Sequence, residues 1–245
     1  MTARTSGTPF GRLALGVKFF ERREYATTFR SGFLYANRLG YFRDMEDKER
    51  GDPDEGLVLR EGGELSIADE DGEYHPLDLV GPVKFDYGHT KYLNVLCLTL
   101  FQSQSQDEPT IDMVHDVKAQ MAALLDTIRS IGSHAVLLTD FGEFLHRARN
   151  AADELGYQCW SRSVTYYDTY PLESWRWSNT TVQPAFLKPR AYELQREYRI
   201  VLNTRTYTDD AITVPIGDIR DISFYSKTED LPNLRWRFTP GEARS

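Results

Sequence analysis

Apolar residues fall at alternate positions in several short runs and at helical spacing in three longer ones, and these two periods define the elements. Residues 12–20 read as a first strand. Residues 21–30 read as a short helix with Tyr25, Ala26 and Phe29 on one face, stopped at Ser31-Gly32. The run FLYANRLGYF predicts two short strands around Asn37-Arg38. GDPDEG then predicts a turn, because Asp, Pro and Gly supply tight backbone angles. Residues 57–79 alternate apolar and polar positions around Gly62-Gly63 and Asp71-Gly72, as surface hairpins do. YLNVLCLTLFQ, residues 92–102, is the most apolar strand and should lie centrally.

After a polar loop at 103–109, helices are expected over 111–131 and 141–155, ended by Gly132 and Gly156, with a strand at 134–139 between them. Residues 164–170 read as a strand, and the Trp-rich stretch 175–184 carries no assignment. Residues 188–196 read as a helix end or turn running into a strand at 198–203, with further strands at 212–216 and 222–225. Strands mixed with helices without regular βαβ spacing give an α+β sandwich rather than a doubly wound fold. With no repeat, low-complexity block or boundary, residues 1–245 read as one domain, with flexible ends at 1–10 and 239–245.

Composition narrows the function classes. A net charge of −8 and an isoelectric point near 5.2 exclude non-specific coating of nucleic acid, which needs surplus Lys and Arg, but leave room for a local basic groove. Cys97 and Cys159 sit in apolar or aromatic runs and read as buried thiols, and the five histidines show no ligand spacing, so no zinc site is expected. No signal-peptide run and no stretch of about 18 apolar residues is present, which predicts a cytoplasmic protein without a membrane partner. Glu61-Gly62-Gly63-Glu64 precedes no helix and fails as a phosphate loop.

Two polar clusters could carry chemistry. In YFRDMEDKERGDPDEG the crowded carboxylates need cations, a metal or solvent. They form a solvated charged segment, or Arg43 and Arg50, pinned by carboxylates such as Asp52 and Glu55, form one side of an anion pocket, or Asp52, Asp54 and Glu55 hold a divalent metal. In LKPRAYELQREYRIVLN, Gln195 and Glu197 would project to one side of an extended chain, toward one site, or Gln195 is a surface residue and Glu197 pairs with Arg196 or Arg199.

The order of these segments resembles a domain-of-unknown-function family of bacterial and phage proteins over residues 15–225. It is carried by Val17-Lys18-Phe19, Gly32-Phe33-Leu34-Tyr35, GDPDEG, Val95-Leu96-Cys97-Leu98-Thr99, residues 135–141, residues 164–168, and Lys188 followed by QREYRIV. Gly51 stands where that family more often has Asn, and Gln195 where it often has Glu. The family is similar in layout to ADP-ribosyltransferases, which implies a split β-sandwich with helices packed on the sheets and NAD as the donor. The resemblance makes Glu197 catalytic, at the nicotinamide ribose, and Gln195 acceptor-facing. It further places Tyr41 on the nicotinamide ring and Lys18, where those enzymes more often carry Arg or His, on the pyrophosphate; with the anion pocket read from the acidic turn, the expected cofactor-binding residues are Lys18, Arg43, Arg50, Asp52 and Glu55. It also implies a toxin or phage-defence role, a nucleic acid or protein acceptor, and an antitoxin or regulator as partner. Two other readings stand beside it: a metal-dependent nuclease using Asp52, Asp54, Glu55 and Glu197, and a non-catalytic binding module whose charged segments form a salt-bridge network.

Overall fold

In chain order the elements begin with strand β1 (Ala14–Phe20), helix α1 (Arg23–Arg30), strand β2 (Phe33–Arg38) and the short helix α2 (Leu39–Arg43). Strands β3 (Val58–Arg60), β4 (Leu65–Ala68), β5 (Tyr74–Leu77), β6 (Val83–Phe85) and β7 (Asn94–Gln102) follow. Helix α3 (Ile111–Ala123), strand β8 (His134–Leu138) and helix α4 (Phe141–Glu154) lead into β9 (Gln158–Ser163), β10 (Thr165–Tyr167), β11 (Leu187–Pro189) and β12 (Glu197–Asn203). Strands β13 (Ile212–Pro215) and β14 (Ser223–Lys227) come last. The computed structural model describes residues 13–45, 51–60, 65–78, 83–103, 111–125, 130–169 and 182–237. The terminal segments 1–10 and 239–245, like Arg50, lie outside the described residues.

The fold is mixed α+β, built on an eight-stranded antiparallel sheet in the order β13-β2-β7-β1-β8-β14, with β12 and then β9 attached to β7. The apolar strand 94–102 does lie centrally, because it pairs with β1, β2 and β12. Its edge is shared. β1 pairs with it only as far as Val17↔Thr99, and β2 pairs with it at Asn37↔Val95 and Arg38↔Asn94. Between them β1 swings away along β8, and the sheet forks beside Leu96–Cys97–Leu98.

Strand alternation sorts the core. Leu96, Leu98 and Leu100 of β7, with Tyr198, Ile200 and Leu202 of β12, pack against α1 and α4 in the largest cluster. The opposite face holds two smaller clusters. One joins Leu15, Val17, Phe19 and Phe101 to α3, and the other joins Val95 and Val201 to Leu39 and Phe186. Helix α4 starts where the Asp140 carboxylate accepts the Glu143 N–H, satisfying an amide that the first turn leaves open.

Three expectations are corrected. Residues 39–43 form a helix instead of a second short strand, because Leu39 and Phe42, three apart, both enter one cluster while Tyr41 points out. β3 pairs with β6 rather than with its neighbour, so that the β4–β5 hairpin around Asp71-Gly72 is nested inside. β9 was not predicted at all. Its sequence QCWSRS does not alternate, since it pairs with β12 at the end of a sheet branch with neither face fully covered.

Gly32 ends α1 at φ +89°, and a Cβ there would come within 1.8 Å of the Gly217 carbonyl oxygen. The chain crosses itself at this point, with Gly32 O accepting the Ile216 N–H and Arg30 O the Ile219 N–H. Gly32→Ala is therefore expected to lower stability by about 2–4 kcal/mol, combining left-handed strain with backbone overlap. Urea unfolding of the two proteins checks this.

Candidate functional site

The fork in the sheet is occupied by charge. β12 sends Tyr198, Ile200 and Leu202 into the largest core, which leaves Glu197 and Arg199 on the opposite face, between the two smaller clusters. The turn 51–56 supplies Glu55 from a distance of 144 residues. Arg199 donates from Nη1 and Nη2 to both Glu55 oxygens at 2.7 and 3.0 Å, and from Nε to Glu197 Oε2 at 2.5 Å. A fourth bond, at 2.6 Å, goes to the Ala185 carbonyl. Such forked donors suit two carboxylates at once.

Lys188 completes the network. The short parallel ladder of β10 and β11 puts it level with Tyr166. Its ammonium donates to Gln195 Oε1 at 2.7 Å and Glu197 Oε1 at 2.9 Å, with Glu55 Oε2 at 3.8 Å and the Tyr192 ring centre at 4.7 Å. Gln195 and Glu197 do converge, but not by strand alternation. Gln195 ends a 3-10 turn (Arg190–Gln195), Arg196 is left-handed at φ 46°, and Glu197 begins β12. The reversal is fastened on both sides: the Glu197 N–H donates to the Tyr166 hydroxyl at 2.8 Å, and Arg196 Nη1 to Gln120 Oε1 at 2.6 Å.

These groups form one wall of a cavity of about 110 Å³. Lys18, Glu55, Lys188, Gln195, Glu197 and Arg199 are its polar side, and Val17, Phe19, Phe42, Leu98 and Ile131 its apolar side. Lys18 sits where β1 leaves β7, and its ammonium donates to the Cys97 carbonyl at 2.8 Å. Burial lowers its pKa, opposed by Cys97 and Glu197. Burial alone would raise the Glu197 carboxyl, but Arg199 and Lys188 override it and hold it at about 2. Both cations are held protonated against burial by the same carboxylates. Burial pushes the Cys97 thiol up to about 11, so it is no nucleophile at neutral pH.

The other expected residues are placed differently. Arg43 lies under the turn, donating from Nε and Nη2 to the Glu55 carbonyl at 3.0 and 2.8 Å and from Nη1 to Asp86 at 2.7 Å, outside the cavity lining. Asp52 is buried behind Glu55. Its Oδ1 accepts the Asp54 N–H, and its Oδ2 has no partner among the described residues. Tyr41 is 44% exposed, edge-on to Phe42, and it is Phe42 that lines the cavity. Lys188 entered the sequence reading only as part of the late motif and Arg199 only as a possible partner of Glu197, a pairing the structure contains; Tyr166 and Tyr192 were not singled out. The signal for the first two was their spacing: Lys188, Gln195, Glu197 and Arg199 lie within twelve residues, and a basic group inside an apolar strand needs a buried partner.

Among the described residues, no group of three His, Cys, Asp or Glu could hold a metal ion, and no helix is long and apolar enough to cross a membrane. Comparison with family models, with curated proteins and with solved structures found no match to this chain.

Two predictions follow from the charges. Removing one member of a buried ion network strands the others, so Arg199→Ala is expected to cost about 3–5 kcal/mol. In a double-mutant cycle by denaturant titration, adding Glu55→Ala should cost far less than it does alone. Asp52 behaves oppositely. Burial first, then Glu55, raises its carboxyl to about 6, above the unfolded value, so its ionisation opposes folding. The penalty is absent below pH 4, grows between 4 and 6, and is complete above 6. Asp52→Asn is expected to stabilise the protein at pH 7.5 by up to about 3 kcal/mol, and not at pH 4. Thermal melts across this range give the test.

Proposed function

We propose that the chain is an ADP-ribosyltransferase-like enzyme that breaks the bond between nicotinamide and ribose in NAD, with the forked sheet serving as its split β-sandwich. One observation carries the reading. A carboxylate fixed in its ionised form, Glu197, lines a ring-sized cavity together with the residue two before it, Gln195, and faces a space walled on its other side by apolar groups. Loss of nicotinamide leaves an oxocarbenium-like ribosyl cation, and a preorganised carboxylate stabilises that charge as it develops. Glu197 and Glu55 are balanced by Lys188 and Arg199, and Lys18, bonded to the Cys97 carbonyl, is the lining amine that a phosphate would meet and hold protonated. Phe42 offers the nicotinamide ring the aromatic contact that the resemblance gave to Tyr41.

A second reading has its own support. Every carboxylate oxygen of Glu55 and Glu197 already accepts a hydrogen bond, as expected of a purely structural network in a binding module. The metal-dependent nuclease has less, because Asp54 is paired with Lys84 at 2.5 Å and the other carboxylates with Arg199 and Lys188.

The three readings separate in one set of measurements. NAD should raise the melting temperature, Mg²⁺ and Mn²⁺ should not, and the protein should release nicotinamide. Glu197→Gln keeps the side chain's size but removes its charge. It is expected to lower nicotinamide release by about two to three orders of magnitude, assayed below the melting temperature of both proteins. A variant with full activity would remove Glu197 from the chemistry. Wild-type protein that neither binds NAD nor releases nicotinamide would leave the structural network as the reading.

A further inference from the structure

We propose that the fork binds a short-chain monocarboxylate of about four to six non-hydrogen atoms, its head held by the Lys18 ammonium and the Cys97 N–H and its chain laid on the apolar lining. The binding stands apart from the NAD reading. Only its consequence, that such an acid keeps NAD out of the cavity, rests on that reading.

The head site follows from the ladder. The Leu100 N–H donates to the Arg196 carbonyl at 2.9 Å, and Leu98 faces Tyr198 in register, so the even residues of β7 turn their peptide groups to β12 and the odd ones turn theirs to the opposite edge. On that edge Thr99 faces Val17 of β1, and Val95 faces Asn37 of β2. Cys97, between them, is in register with neither strand. Its N–H and C=O both point into the fork, and the carbonyl accepts the Lys18 ammonium at 2.8 Å. An ammonium has three hydrogens to give. A carboxylate beside that bond meets a charged donor and a backbone donor together, and charge-assisted bonds of this kind are roughly twice as strong as neutral ones.

The lining sets the charge and the size of the occupant. Lys18, Lys188 and Arg199 are set against Glu55 and Glu197, three cations against two carboxylates, so one negative charge balances the wall and a dianion overshoots it. Burial disfavours the charged form of Lys18, and an anion in contact restores it. A cavity of about 110 Å³ matches the liquid volume of about four waters, which is room for a short chain and admits only one end of a larger molecule. Val17, Phe42 and Ile131 on the apolar side offer nothing to an inorganic ion, but they shelter hydrocarbon from water. Lys18, Phe42 and Ile131 are half-buried whereas Lys188 and Arg199 are buried, so the ligand enters on the side of the amine.

Butyrate is the probe. Titrated into the full chain without NAD, it is expected to bind one-to-one by calorimetry and to move the Cys97 amide proton downfield in a ¹H–¹⁵N spectrum. Butyramide and butylamine, of the same size but the wrong charge, should bind at least about tenfold more weakly, and so should inorganic phosphate. Lys18→Met keeps most of the side chain's length without its charge, and should weaken butyrate about ten- to hundredfold. Equal binding of butyramide, a Cys97 amide that does not move in the wild type, or undiminished binding to Lys18→Met would each overturn the proposal, and the first two need no variant to fold. With NAD as substrate, butyrate should raise KM and leave kcat unchanged. A protein that binds butyrate in this way and releases no nicotinamide retains the carboxylate site and loses the transferase reading alone.

Discussion

Arg199, buried between Glu55 and Glu197, is the contact on which the shape of the site depends. A guanidinium taken out of water costs several kcal/mol unless its partners are close and its remaining donors are satisfied. All three of its nitrogens are engaged here, and the fourth bond goes to a backbone carbonyl. The turn 51–56 therefore has one position that completes the network. That position fixes Glu55 against β12, while Arg43 holds the Glu55 carbonyl from the other side. Lys188 then closes the ring on Glu197 and Gln195.

Charge of this density is tolerated on the sheet face because the fork separates two apolar clusters rather than interrupting one. Val17 and Phe19 belong to one cluster, Val95 and Val201 to the other, and the polar wall runs between. The larger core on the opposite face, with α1 and α4, carries the apolar burial that such a polar seam does not supply.

The sequence made the sheet legible where burial is one-sided. Alternation in residues 198–202 and the long apolar run at 94–102 identified β12 and β7, since one-sided burial imposes a two-residue period. β9 escaped because both its faces are only partly covered, and α2 because five residues are too few to separate helical from strand spacing. Of the site, Glu197, Gln195, Lys18 and Glu55 were named from the chain and meet at one cavity. The route by which Gln195 and Glu197 meet was not visible, because the left-handed Arg196 is held by bonds from Glu197 to Tyr166 and from Arg196 to Gln120, 31 and 76 residues away in sequence. Arg43 looked like a ligand cation because composition cannot tell a guanidinium facing a cavity from one bonded to a backbone carbonyl. The pairing of Lys188 and Arg199 with Glu55 was missed for a related reason: contacts so distant in sequence leave no local pattern.

The shared edge of β7 also bears on the order of assembly. Its partners come from residues 14–17 and 37–38 near the start of the chain and from 197–202 near its end, so the central strand waits for the last of them. Pairings this distant in sequence are slow to form, since loop closure precedes any reward from contact. During synthesis the apolar edge that β12 will cover stays open, and Glu55 has neither of its cations until residues 188 and 199 have emerged. A nascent chain can thus collapse its first strands and helices while the buried ion network does not yet exist, and that network closes only once β12 has emerged.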